Sequence, residues 1–185
     1  MIKSRLIAYC LFTLSPLAAA VADSGANTNG STVEAAQWFL TLCAKSAPDL
    51  GQTSQIASAQ GLRLLNENGV TKEVGEFAHT KQWAISMSGG DGVLMAVEAN
   101  GGGGHNKLCS MMVPNIDGPS LRDEMIHVLN LGQPSADQPI QAPGARQAAW
   151  KDHFGPGQSL VMIYGTTRTN DRVIISRISE EPLRP

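Results

Sequence analysis

The sequence predicts an α+β fold: an antiparallel sheet of about five strands packed on about three helices, tied by one disulfide between Cys43 and Cys109. Three observations lead there. The apolar residues change from helical spacing to alternation at Gln82. Short glycine-rich links such as Ser88 to Gly92 join the alternating runs, which is the chemistry of antiparallel hairpins. Two cysteines remain once an N-terminal export signal is set aside.

The signal reads as follows along the chain. Lys3 and Arg5 form a short basic region, Leu6 to Leu17 is mostly apolar, and Ala20-Val21-Ala22 fits the small-residue cleavage pattern. The apolar run is shorter than the roughly 20 residues that span a bilayer. Cys10 lies inside that run, after the bulky Tyr9, and belongs to the signal rather than to a lipid anchor. Residues 1–22 are therefore assigned to a signal peptide, 23–30 to a flexible leader and 31–185 to a single α+β domain. Loss of Lys3 and Arg5 takes the 14 basic residues to 12 against 16 acidic ones, so the net charge moves from −2 to −4. Such a chain lacks the positive field that draws proteins to nucleic acid or anionic lipid. The expected location is periplasmic or secreted. An oxidising compartment joins Cys43 to Cys109, and closing so long a segment stabilises the fold by about 4 kcal/mol. There is no C-x-x-C and no histidine at ligand spacing from either cysteine, so neither a metal nor a cofactor is expected.

Each element has its own signal. Ser31-Thr32-Val33-Glu34 matches a capping box, and Val33, Ala36, Phe39, Leu40 and Cys43 follow at helical spacing, which predicts a helix from about Thr32 to Ala44. Ser54 is the expected cap of a second helix, Gln55 to Asn66, stopped by Asn68-Gly69. Val70 to Lys81 is ambiguous. Trp83, Ile85 and Met87 mark a first strand, Val93 to Ala99 a second, and His105 to Val113 a third with Cys109, Met111 and Val113 on one face. Asp117 caps a third helix with Pro119 in its first turn, and Leu121, Met125, Val128 and Leu129 form its apolar stripe. Gln133 to Arg146, with Pro134, Pro139 and Pro143, reads as an excursion without regular structure. Trp150 to Phe154 is a short strand or turn. Ser159 to Tyr164 and Arg172 to Ser179 are strands apolar on both faces, expected at the centre of the sheet, with Thr166 to Asp171 as their turn.

Motifs for chemistry are few. Gly101 to Gly104 before His105 opens no helix and is followed by no Gly-Lys-Ser/Thr, so it reads as a hairpin loop rather than a phosphate site. His79, His105, His127 and His153 lie in separate segments, and His127 reads as a solvent-facing partner of Asp123. Serine-nucleophile motifs and H-E-x-x-H are absent; Ser86 and Ser88 have small neighbours but no committing pattern. Asn29-Gly30-Ser31 fits the N-glycosylation pattern, which matters only in a eukaryotic source. Arg168, Arg172, Arg177 and Arg184 read as a turn and solvated strand faces.

Three functions follow from this reading. The first is an exported accessory protein that binds another envelope or secreted protein without catalysis, through the Gln133–Arg146 excursion and the Gly101–Gly104 loop. The second is a hydrolase-type enzyme with a dispersed site, using His105 or His153 with Asp152; it requires histidines and a carboxylate to converge in one pocket. The third is a structural component of the cell envelope, marked by a large exposed apolar patch.

Overall fold

The computed structural model describes residues 28–45, 48–73, 76–101, 104–165 and 172–182. The segment read as a signal peptide and the turn expected at Thr166–Asp171 lie outside the described residues. The fold is α+β, with three helices and one antiparallel sheet, but the sheet has eight strands rather than about five.

Helix α1 spans Thr28–Phe39 and runs directly into a π-helical stretch, Leu40–Ala44. It begins three residues earlier than its sequence signal, so Ser31 lies inside it. Glu34 closes no capping box: its carboxylate accepts from the backbone N–H and hydroxyl of Ser88, at 2.9 and 2.6 Å. The buried stripe is Thr32, Ala35, Ala36, Phe39, Leu42 and Cys43, which leaves Val33 45% exposed. Helix α2 spans Leu50–Ala59, with Asp49 rather than Ser54 as its cap; the Asp49 carboxylate accepts from the Gln52 N–H at 2.9 Å. It stops earlier than its apolar pattern implies, because Gly61 takes a left-handed φ of +68° and turns the chain into the sheet.

Eight strands follow: β1 Arg63–Glu73, β2 Glu76–Met87, β3 Gly90–Gly101, β4 Gly104–Val113, then helix α3 Gly118–Val128, and β5 Ala136–Pro139, β6 Ala145–Trp150, β7 Gln158–Gly165 and β8 Val173–Pro182. Their order across the sheet is β1-β2-β3-β4-β8-β7-β6-β5. Two four-stranded meanders therefore meet at the β4–β8 seam, each preceded by helix. Val70 to Lys81, ambiguous by pattern, is the β1–β2 hairpin. The excursion expected to lack regular structure contains β5 and the start of β6, paired from Ala136↔Ala149 to Pro139↔Arg146.

Alternation sends every second strand residue toward the helices. Trp83, Leu94, Met111, Ile175, Leu160 and Ala148, one on each of the six inner strands, form a single core with Phe39, Leu42, Leu121 and Met125 from the helices. Asp117 caps α3 as its sequence signal implies, accepting from the Ser120 N–H at 3.0 Å. The helix sits close to β7: a Cβ on Gly118 would lie 2.8 Å from the Gly165 carbonyl oxygen, so only glycine allows this approach. The Cys43–Cys109 disulfide joins the π-helical stretch to β4, with the two Cα atoms 5.5 Å apart and both residues fully buried.

Candidate functional site

The residues proposed for a dispersed catalytic site serve local structure. His105, at the start of β4, pairs its Nδ1 with the Asn100 side-chain oxygen across the β3–β4 hairpin. Asp152 is in the turn after β6 with φ +55°, and its carboxylate accepts the Gly157 N–H at 2.7 Å, closing that turn. His153 is exposed and stacks edge-on against Phe154, ring centroids 4.8 Å apart. Strand β8 lies between the His105 strand and β7, at whose start the Asp152 turn ends. Asp123 pairs with Arg122 at 3.3 Å, and His127 is exposed in the last turn of α3. A shallow depression of about 230 Å³ beside α1 is lined by Glu34, Gln37, Trp38, Thr41 and Gln60, without a histidine. Among the described residues, no three His, Cys, Asp or Glu side chains are grouped to hold a metal ion, and no helix is long and apolar enough to cross a membrane.

The loops proposed as one binding surface are far apart. The Gly101–Gly104 tip lies at the end of the sheet where Gly104 pairs with Pro182. The β5–β6 tip lies at the opposite end, where Ala145 pairs with Gly165. The β5–β6 hairpin is also held in place. Asp137 on β5 accepts from Arg146 Nε at 2.9 Å and from Arg122 Nη1 at 3.2 Å, and the same Arg122 nitrogen reaches the Tyr164 hydroxyl at 3.2 Å. The Tyr164 hydrogen bond is the main reason that the Arg122 pKa is raised, and the Asp137 hydrogen bond does the same for Arg146. The charged side chains of this network keep 25–35% of their surface in solvent, so screening holds each ion pair to a small contribution. Asp137→Ala is expected to lower global stability by about 1 kcal/mol at most and to speed amide exchange in 136–146 by up to about fivefold. Unchanged exchange there would show that the strand pairing alone holds the hairpin.

Sequence pattern placed Arg177 on a solvated strand face; the structure buries it to 6% exposure. It sits on β8 directly opposite Cys109 of β4. Its Nη1 donates to the Cys43 and Ala44 carbonyls at 3.2 and 2.8 Å, its Nη2 donates to the Gln158 side-chain oxygen at 2.5 Å, and its guanidinium lies 4.2 Å from the Phe154 ring centroid. A cation thus meets carbonyls at the C-terminal end of the first helix, where they are most electron-rich. Burial pushes its pKa below the ordinary arginine value. The overlooked signal was parity: Arg177 shares a strand face with Val173 and Ile175, which belong to the core.

Among the described residues, no element covers the other face of the sheet. Residues between the core positions on β3, β4, β8 and β7 point away from the helices, and pairing sorts them into rows. One row is Val93, Met112, Ile174 and Ile163. The middle row is Met95, Ser110, Ser176 and Val161, with the two serine hydroxyls 2.9 Å apart. The third is Val97, Leu108, Ile178 and Ser159. The apolar members are all partly exposed, and none belongs to the core or packs against it. Among the described residues, the helices all lie on the opposite side. No ionisable side chain interrupts these rows. Gln82 and Thr80 on β2 border them on one side, and Gln147 and Ala149 on β6 on the other. An antiparallel sheet with one solvated face ordinarily alternates apolar and polar residues; its four central strands here do not.

The chain matches no protein-family model, no curated protein and no solved structure.

Proposed function

We propose that this is an exported protein that acts by protein–protein association through the uncovered face of β3, β4, β8 and β7, without catalysis of its own. The observation that carries the reading is the uncharged apolar surface on four adjacent strands, whose side chains lie outside the core of the described residues. Soluble monomers rarely keep a contiguous apolar patch beyond a few hundred Å², and larger ones mark interaction sites. The N-terminal apolar run, the A-x-A pattern and a disulfide support the export part. The convergence that a hydrolase requires is not supported: His105 and Asp152 are both engaged in local hydrogen bonds.

The reading is tested by placing a photo-crosslinking side chain at Met95, on the uncovered face, and at His127, exposed on the helix side, in the cell that makes the protein. The expected result is a discrete protein adduct from position 95 and none from 127. No adduct from 95 would overturn the proposal.

A further inference from the structure

We infer that the partner on this face is a second copy of the same chain, docked sheet against sheet about a two-fold axis. The inference rests on the binding role proposed for the face. Three features of the face favour a copy of itself.

The first is its symmetry. Because β4 and β8 are antiparallel neighbours at the centre of the strand order, a local two-fold axis passes through the sheet between Ser110 and Ser176. Rotation about it exchanges Leu108 with Ile174, Met112 with Ile178, and Met95 with Val161. The small hydroxyl pair at the centre is flanked on either side by larger apolar side chains. The apolar pattern is therefore nearly the same from either end, which suits the self-complementary contact of a two-fold dimer. Two such sheets pack face to face at about 10 Å with strands about 30° apart.

The second is charge. Two copies brought together usually oppose like charges, since each patch meets itself. Here the rows are neutral, and the ionisable groups that border them on the same face are of both signs and exposed: Asp91, Arg172 and Glu180 lie beyond the row ends, and Arg63 on β1 lies outside Ala84 of β2.

The third is area. Counting the β2 and β6 columns, the face is six strands wide, about 29 Å at the usual strand spacing, and about 17 Å along five residues. That is about 500 Å² in projection on each copy. It falls at the lower end of specific interfaces, which fits a reversible dimer with a micromolar dissociation constant.

Sedimentation equilibrium of the purified chain tests this. The expected result is a mass rising from one chain to two between about 1 and 200 μM, the range of a micromolar equilibrium. Added salt should leave the transition in place or strengthen it, because no opposite charges hold the contact. Met112→Glu, which puts two carboxylates into the dry centre, should weaken dimerisation more than tenfold. Val161→Thr, which keeps the β-branched shape and the fold, should weaken it several-fold. Wild-type protein that stays monomeric over the range overturns the second copy, and so does a dimer that both variants leave intact. Binding to phosphatidylglycerol vesicles instead of self-association does the same. The crosslink from Met95 separates the two claims: an adduct with a different protein overturns the dimer and keeps the binding role, whereas no adduct removes both.

Discussion

Replacing both Cys43 and Cys109 by serine is expected to lower the unfolding free energy by about 4 kcal/mol. The bridge spans 66 residues of sequence and holds the first helix against β4. Without it, the unfolded chain regains the freedom of a long open loop, and the folded state gains two buried hydroxyls with no assured acceptors. A domain of this size has about 5–15 kcal/mol in all, so the loss is a large share of the total. Urea unfolding of the variant, and of wild type with and without reductant, measures it. The midpoint should be lower for the variant and the reduced protein, and the slope should be smaller for the oxidised protein, whose cross-linked unfolded state exposes less surface. Equal midpoints for oxidised and reduced wild type would show that the bridge contributes nothing.

Arg177→Leu should cost about 2–4 kcal/mol, the second-largest loss expected of one site. Leucine keeps much of the volume and removes the donors. The carbonyls of Cys43 and Ala44 and the Gln158 side-chain oxygen then lose them in a dry setting. A buried acceptor without a donor costs about 1–3 kcal/mol, offset here by no longer burying a cation. Arg177→Lys restores the charge but not the planar fork that reaches both sides, so it should recover about half of the loss. Because Arg177 and the disulfide end on the same turn of helix, the two changes should not add. A double-mutant cycle with the cysteine pair is expected to show a coupling of about 1 kcal/mol, and additivity would mean that the two fasten the helix independently.

Both residues show how far local pattern reaches. Cys43 and Cys109 were readable because two cysteines left beyond a signal-like leader have one simple use, as each other's partner. Arg177 was not, because its sequence neighbours Arg172 and Glu180 are exposed and its partners are some 130 positions away. Strands β1, β5 and β6 were missed for a related reason. Leu64 and Leu65 are 47% and 43% exposed on an edge, so the apolar pattern of β1 does not report a buried face. Only pairing with β2 makes it a strand, and only pairing with β6 does so for the four-residue β5. Asp49 rather than Ser54 caps the second helix because the helix starts earlier, at Leu50, and the Ser54 hydroxyl inside it donates back to the Leu50 carbonyl. The candidate site was hidden more thoroughly. His105, His153 and Asp152 drew attention as residue types, while the face that carries the argument is made of valine, isoleucine, leucine and methionine.

By itself, the sequence determined the mixed α and β character, the strands β3, β4, β7 and β8, the Asp117 cap and the cysteine pair. Each is written in residues within a few positions of one another, or in chemistry that permits one pairing. It even recorded that Ser159–Tyr164 and Arg172–Ser179 are apolar on both sides. Only the tertiary structure decided that eight strands form one sheet, that the two loops end up at opposite ends of it, and that the helices of the described residues all lie on one side. Strand neighbours and helix docking are set by contacts between distant segments, and a residue's alternation shows that it wants burial without showing which body supplies it.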